Sequence, residues 1–184
     1  FSFGTGDLTF SCWVNPDTTF FGATAQGTIL GADYQNYELS VYQGEIQVYL
    51  GGATNFVRTN AGNSIVINSW QHVIVRRSGS SVEIFINDAK PSQTTGGTPA
   101  TTNVNSSGTP SFVCGERAAT SNNHYDGQMV DVVMWKRALT DAEITAIYSA
   151  GAGGFSSLFG LEADLRSYYE AASVHDSWNV IDLT

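Results

Sequence analysis

Charged side chains are scarce in this sequence, and most of those present are acidic. Among its 184 residues, 14% are Asp, Glu, Lys or Arg, against about 25% in an average soluble domain. With 17 acidic and 8 basic side chains, the net charge is −9, and the basic residues form no cluster. Nucleic acids and anionic membranes both attract proteins through Lys and Arg, so we expect neither as a partner.

Cysteine and long apolar runs are also rare. The two cysteines, Cys12 and Cys114, are too few for a disulfide framework, so the sequence leaves open whether they pair or remain buried thiols. No run reaches the roughly 18 apolar residues that a membrane-spanning helix needs. Phe1 already lies in what looks like the middle of a domain, so we expect the first strand to be missing at the N-terminus.

What the sequence does contain is alternation of apolar and polar residues, which is typical of strands with one buried face. Tight turns at 43–44 and 78–80 predict two hairpins, and the polar stretch 90–111 predicts a long loop. Strands of this length and spacing predict an all-β fold, an antiparallel two-sheet sandwich. The predicted strands are 7–14, 37–42, 45–50, 55–60, 69–77, 81–88, 110–116 and 127–137.

One short helix is predicted at 141–149. Thr140 and Glu143 have the spacing of a capping box at its start, and Gly151 is suited to its end. Ile144, Ile147 and Tyr148 share one face, which predicts that the helix closes an open end of the β-core. The Gly-rich residues that follow predict a linker over 151–164.

Three segments together carry a family resemblance: "FGTGDLTFSCWVNP" (3–16), "NSWQHVIVRRSGSSVEIFIND" (68–88) and "DGQMVDVVMWKRALTDAEITAIY" (126–148). In this order they resemble the laminin G-like, concanavalin A-like jelly-roll superfamily, and the last also resembles the matching block of pentraxins. The resemblance covers roughly residues 1–150 and implies a jelly-roll sandwich as the single domain. The opening "FGTGD" is most similar to modules of phage structural proteins.

The tail at 165–184 has two open interpretations. It resembles the first strand of another module of the same family, which implies a segment of a tandem array. Alternatively, it is a C-terminal strand that packs on the same sandwich. The sequence favours neither, because Tyr169 stands where the family has Trp.

The residue patterns of catalysis are missing. No pair of carboxylates shares a strand face at glycosidase spacing, and there is no Gly-x-Ser-x-Gly nucleophile motif. His72 lies within a predicted strand and is expected to be a packed residue rather than a base. We therefore expect no enzyme.

Calcium is the one cofactor that the resemblance suggests. The similarity to pentraxins implies ligands before the strand at 37–42, where Asp33 and Asn36 stand, and after the strand at 110–116, where Glu116 stands. Arg117 beside Glu116 disfavours a full double-calcium site, because like charges repel. The alternative is that Asp33 and Asn36 simply form a turn.

Sugar binding would require exposed rings beside polar loops, since a ring face stacks on the apolar face of a sugar. Trp13, Trp70 and Trp135 match core positions of the family and are expected in the core. Tyrosines are the better candidates, and two of them lie in predicted loops. The predicted ligand-binding residues are Tyr34, Asn36, Asn123, His124 and Tyr125, with Tyr37, Tyr42 and Tyr49 as further candidates.

Together these features predict a non-catalytic structural or surface-display module of an extracellular or virion-surface assembly. The alternative is an adhesion module that binds a carbohydrate or a protein, with or without calcium. Edge strands of such a sandwich can also pair between copies, so further copies or modules of the same assembly are expected partners.

Overall fold

A computed structural model describes residues 3–17, 26–33, 35–60, 64–104, 112–117, 123–155, 165–170 and 179–181, with only the backbone for residue 33 and the last two ranges. It contains strands and one helix. In chain order these are β1 (Leu8–Pro16), β2 (Gln26–Asp33), β3 (Tyr37–Tyr42), β4 (Glu45–Leu50), β5 (Phe56–Thr59), β6 (Gln71–Ser78), β7 (Ser81–Ile86), β8 (Gln93–Gly96), β9 (Val113–Cys114), β10 (Gly127–Trp135), α1 (Asp141–Ala150), β11 (Leu165–Glu170) and β12 (Asn179–Ile181).

The strands form two antiparallel sheets of six strands each. Sheet A has the order β12-β11-β10-β1-β6-β7, and sheet B has the order β8-β5-β4-β3-β2-β9. The predicted all-β, antiparallel two-sheet jelly-roll sandwich with one short helix is therefore confirmed. Both predicted hairpins are present; the Gln43–Gly44 turn has φ of 53° and 78°, the left-handed pair that a tight two-residue hairpin requires.

The main core lies between the sheets, and alternation along β1 shows how the sequence builds it. Leu8, Phe10, Cys12 and Val14 point into this core and are fully buried. Burying a Leu or Phe side chain contributes about 1.5–3 kcal/mol relative to its exposure. The intervening residues of β1 face outward, as the pattern predicts.

A second, smaller core lies between the outer face of sheet A and α1. Ile144 and Ile147 of the helix pack there against Trp135, which is fully buried. Trp13 is 7% exposed, and its ring stacks on that of Tyr148 at 5.8 Å between centroids. The core prediction is thus right for Trp13 and Trp135, but wrong for Trp70, which is half-buried and outside both cores.

The helix begins where the capping box predicts. The Thr140 hydroxyl accepts from the Glu143 N–H at 3.3 Å, and the Glu143 carboxylate accepts from the Thr140 N–H at 2.7 Å. Two of the N–H groups that a helix start leaves unpaired are satisfied in this way. Arg137 holds the same carboxylate at 2.6 Å.

Two strands of sheet B were not predicted. In β2, the adjacent Ile29 and Leu30 both face the core because the register to β3 shifts between Thr28 and Leu30, so a bulge hides the alternation. The strand β8 is a polar edge strand within the stretch predicted as a loop. Conversely, the predicted strand 110–116 reduces to Val113–Cys114 among the described residues.

The tail contributes backbone to sheet A. The strand β11 pairs with β10, and β12 pairs with β11, both antiparallel. The predicted domain limits and the linker at 151–164 remain predictions, and residues 156–164 lie outside the described part of the chain. The described part of the chain contains no helix of the length and apolarity that crossing a membrane demands.

Candidate functional site

The outer face of sheet B, the face of β2–β5 and β8 that points away from the core, is polar and aromatic. Pairing between the strands lines up its side chains in rows. One row runs across Glu38, Tyr49, Phe56 and Gly96, and the next across Thr28, Ser40, Gln47, Arg58 and Thr94.

Two rings meet on this face. Tyr49 and Phe56 are cross-strand partners, half-buried, with centroids 6.3 Å apart and planes at 68°. The Phe56 ring lies over Gly96, where a Cβ atom would come within 2.3 Å of it. Glycine at 96 therefore leaves the space that lets this ring lie flat beside the strand.

Beside the rings lies an ion pair. Arg58 Nε is 3.0 Å from Glu45 Oε2, with side chains 35% and 17% exposed. The contact is a charge interaction rather than a hydrogen bond, because Arg58 Nε makes none among the described residues. The guanidinium also lies over the Tyr42 ring at 6.0 Å, a favourable cation–π arrangement.

The deeper part of the face is a closed network around Glu38. This fully buried carboxylate accepts from Arg117 Nε at 2.8 Å and Nη2 at 2.9 Å, and from the Gln26 amide at 2.7 Å. With its amide oxygen turned toward Arg117, Asn123 accepts from Nη1 and Nη2 at 3.1 and 3.2 Å. A buried charge with this many partners fixes its neighbours in place.

The predicted ligand residues before β3 are not an open site. Asn36 is 2% exposed, and its backbone carbonyl oxygen accepts from the backbone N–H of Gly51 at 2.7 Å. Tyr34 lies outside the described residues, as does the Asp33 side chain. The side chain of Asn36 is therefore buried in a packed turn in this structure.

The predicted residues before β10 lie at the opposite end of β2. The Thr28 N–H donates to the Asn123 carbonyl at 2.7 Å, and His124 Nδ1 is 3.5 Å from Glu116 Oε2 with a side chain 66% exposed. Tyr125 is 4% exposed and packs in the main core. Tyr125 lies in the loop before β10, as predicted, but its ring is not exposed, because the Tyr125 N–H donates to the Gly115 carbonyl at 2.7 Å and the ring packs between the sheets.

These positions do not bring the predicted metal ligands together. The Gly115 N–H donates to the Ile29 carbonyl at 3.0 Å, so Glu116 continues away from Asp33 and Asn36. The stretch from Thr28 to Asp33 spans roughly 16 Å at about 3.3 Å per residue. Within the described ranges, there is no group of three or more His, Cys, Asp or Glu side chains that could hold a metal ion. Glu116 thus does not fit a shared site with the other two.

Two potentially reactive side chains, His72 and Cys12, are buried, and Cys114 is partly buried. His72 is 1% exposed, and its Nε2 shares a hydrogen bond of 2.8 Å with the Ser11 hydroxyl. Burial lowers the pKa of His72 to about 3. Cys12 and Cys114 are free thiols, and burial raises the pKa of both. His72 is the packed residue that its strand position predicts.

A cavity of about 340 Å³ lies apart from these features, between the β6–β7 turn and the segment after β8. Ser80, Ser81 and Thr98 are among its lining residues, and the lining contains neither an aromatic ring nor a charge. It lacks the groups that would orient a ligand by stacking or by charge.

Of the side chains in this candidate site, Tyr42 and Tyr49 were predicted as candidates, whereas Glu45, Phe56 and Arg58 were not. The register of β4 on β5 places Phe56 beside Tyr49 and Arg58 beside Gln47, and it does not follow from any one strand alone. The available signal was the hairpin at 43–44, from which the facing residues of β3 and β4 could be counted.

Solved structures share this fold at low sequence identity. A protein from Bacteroides ovatus, provisionally assigned as carbohydrate-binding, matches with a TM-score of 0.68 and 16% identity over 98% of this chain and 50% of its own. The CBM40 module of the Ruminococcus gnavus IT-sialidase matches with a TM-score of 0.61 and 12% identity over 79% of this chain and 84% of its own. The heptameric SAP-like pentraxin of Limulus polyphemus matches with a TM-score of 0.56 and 15% identity over 96% of this chain and 80% of its own.

This chain spans half the length of the Bacteroides ovatus protein. No curated protein sequence matches it at a significant level. A profile of the laminin G type, however, covers residues 1–145, which include β1 to β10 and the first half of α1. The chain therefore belongs to the Concanavalin A-like lectin/glucanases superfamily.

Proposed function

We propose that this chain is a non-catalytic carbohydrate-binding module that holds a glycan on the outer face of sheet B. The observation that carries the proposal is the half-buried ring pair of Tyr49 and Phe56 beside the Arg58–Glu45 ion pair. Rings bind the apolar face of a sugar, and a few polar groups next to them orient its hydroxyls.

Rigid support favours this face over the loops. The rings and the ion pair stand on paired strands, and the Glu38–Arg117 network lies beside them. A ligand that binds a preformed surface loses less free energy to ordering the protein than one that binds a mobile loop.

The related folds support a binding role rather than catalysis. The Ruminococcus gnavus module was solved with α2,3-sialyllactose bound, and the Bacteroides ovatus protein is provisionally assigned to carbohydrate binding. Because their identity to this chain is 12–16%, they support the class of ligand and not its identity. Glycans of this kind are typical of cell surfaces, so we also propose an extracellular location.

The proposal is tested by screening the purified chain on a glycan array and titrating the strongest hit by calorimetry. Tyr49→Ala and Phe56→Ala should each weaken binding at least about tenfold, or about 1.4 kcal/mol, with melting temperatures close to the parent. Trp70→Ala removes a half-buried ring from the residue just before β6, a strand of sheet A, and should leave binding unchanged.

Failure to bind any glycan, or equal affinity in all three variants, would overturn the proposal. The same titrations with calcium and with a chelator test the calcium prediction at Asp33 and Asn36, because a cation that binds only the folded chain raises its melting temperature. The display role in a virion or other assembly remains a prediction.

A further inference from the structure

The charges on the outer face of sheet B point to a class of glycan, an inference that rests on the function proposed above. Among the described side chains, this face carries Glu38, Glu45 and Arg58, and Arg117 reaches it from the segment after β9. Each arginine is paired with one glutamate, so these four charges sum to zero. We propose that the site takes neutral oligosaccharides and discriminates against acidic ones.

The inner pair offers no cation to a ligand. Arg117 directs Nε and Nη2 at the two carboxylate oxygens of Glu38, the two-point geometry that suits a guanidinium and a carboxylate. Its side chain is 15% exposed and that of Glu38 is fully buried. A sugar carboxylate would have to displace Glu38, which has no solvent to move into.

The outer pair is accessible but already neutralised. Glu45 Oε2 lies 3.0 Å from Arg58 Nε, so an anion that approached Arg58 would also approach the Glu45 carboxylate. Like charges at such short range repel strongly. The net charge of −9 adds a weaker, salt-screened repulsion for anions.

A neutral sugar suits the same pair. Every sugar hydroxyl is both a donor and an acceptor, whereas a guanidinium only donates and a carboxylate only accepts. Arg58 and Glu45 present both kinds of group side by side, next to the Tyr42 ring. Two neighbouring hydroxyls could therefore donate to one residue and accept from the other, with no net charge to compensate.

This specificity would differ from that of a structural neighbour. The Ruminococcus gnavus module was solved with sialyllactose, which carries a carboxylate. An unpaired cation on the face would favour that ligand, and the pairing of both arginines disfavours it.

The test compares matched neutral and acidic glycans, such as lactose and α2,3-sialyllactose, on an array and then by calorimetry at two salt concentrations. The wild-type chain should bind the neutral member at least about fivefold more tightly, with little effect of salt. Glu45→Gln should free the charge of Arg58 and raise the affinity for the acidic member by about fivefold or more. That gain should fade in high salt.

Asp141→Asn is the matched control. It removes the same charge from a side chain that is 84% exposed on α1, across the sandwich from sheet B. It should change neither affinity.

The outcomes separate the two proposals. If the wild-type chain prefers the acidic glycans, the present inference is wrong and the proposed function stands. If Glu45→Gln gains no affinity for acidic glycans, or gains no more than Asp141→Asn, the role assigned to the Arg58–Glu45 pair is wrong. If the chain binds no glycan at all, both proposals fail.

Discussion

Arg117 and Glu38 form a two-point ion pair in which the carboxylate is fully buried, with N–O distances of 2.8 and 2.9 Å. The pair joins β3 to the segment that follows β9, a strand of two residues that pairs with β2. A buried carboxylate depends on its partner, because its own desolvation is costly.

Replacing Arg117 by Met should therefore destabilise the fold by about 3–5 kcal/mol, the cost of leaving one buried charge without its partner. Urea unfolding at neutral pH measures the change. The double variant Arg117→Met with Glu38→Met should recover most of it, because no uncompensated charge remains.

The control for this prediction is Arg58→Met. Its partner Glu45 is partly exposed, so water replaces the lost contact and the cost should stay below about 1 kcal/mol. Equal losses in Arg58→Met and Arg117→Met would show that burial of Glu38 has no energetic consequence.

Arg77 should be a second stabilising residue, through the chain segments that it joins. It is fully buried and donates to the carbonyl oxygens of Gly6 at 2.7 Å, Gly4 at 2.9 Å and Thr102 at 3.0 Å. Arg77→Met should cost about 3 kcal/mol or more, because it removes three hydrogen bonds from a charged donor, and each such bond contributes about 1.5–3 kcal/mol.

Arg77→Lys should recover only part of that loss, because an ammonium group cannot reach the same three oxygens as the guanidinium fork. Hydrogen exchange should quicken at 3–7 and 102–104 before it does elsewhere. Lys90→Met, which removes a half-exposed cation, is the control and should have little effect. Full stability in Arg77→Lys would contradict the prediction.

The fold was predictable where one residue pattern decided the structure. Leu8, Phe10, Cys12 and Val14 alternate along β1, so this strand has the predicted buried face. Thr140 and Glu143 cap α1, so the helix begins at the predicted residue. In β2 a bulge places Ile29 and Leu30 both in the core. No local pattern reveals such a bulge, because the partner strand sets it.

The site was less predictable than the fold for a related reason. Phe56 contacts Tyr49, and Arg58 contacts Glu45, only because β5 pairs with β4 in one register. Tyr125 has loop-like neighbours in sequence, yet it is buried between the sheets. Contacts between distant segments decide both outcomes, and a single sequence does not encode them in a local signal.

Gly96 offers a test of the site that removes none of its rings. A Cβ atom at this position would lie 2.3 Å from the Phe56 ring, so Gly96→Ala should push that ring away from the strand. Glycan binding should weaken about tenfold or more, as it should in Phe56→Ala.

Gly79→Ala is the control for this change, since nothing lies within 4 Å of the added Cβ in the β6–β7 turn. It should leave binding unchanged, although its φ of +54° will lower stability slightly. Undiminished glycan binding by Gly96→Ala would show that the position of Phe56 is irrelevant to the site.

The capping box predicts how α1 contributes to stability. Thr140→Ala removes the hydroxyl that accepts from the Glu143 N–H and should cost about 0.5–2 kcal/mol in urea unfolding. Thr140→Ser should restore most of the loss, because it keeps the hydroxyl. If Ala and Ser are equivalent at this position, the hydroxyl contributes nothing to the helix start.

His72 should make stability fall as the pH is lowered. Burial depresses its pKa from 6.5 to about 3 in the folded chain, while the unfolded chain protonates it near 6.5. Between these two values the unfolded state binds more protons, so folding weakens as pH falls, by at most about 1.4 kcal/mol per pH unit. Above pH 6.5 the imidazole is neutral in both states and the effect vanishes.

The measurement is urea unfolding from pH 7 to pH 4, in which the wild-type slope is compared with that of His72→Gln. Gln can still bond to the Ser11 hydroxyl, 2.8 Å from His72 Nε2 in the wild type, but it cannot titrate, so its curve should be flatter. His124→Gln makes the same substitution at a side chain that is 66% exposed and serves as the matched control. If the curves of His72→Gln and the wild type run parallel, the stacked contact with Trp13, at 5.1 Å between ring centroids, must tolerate a charged imidazole.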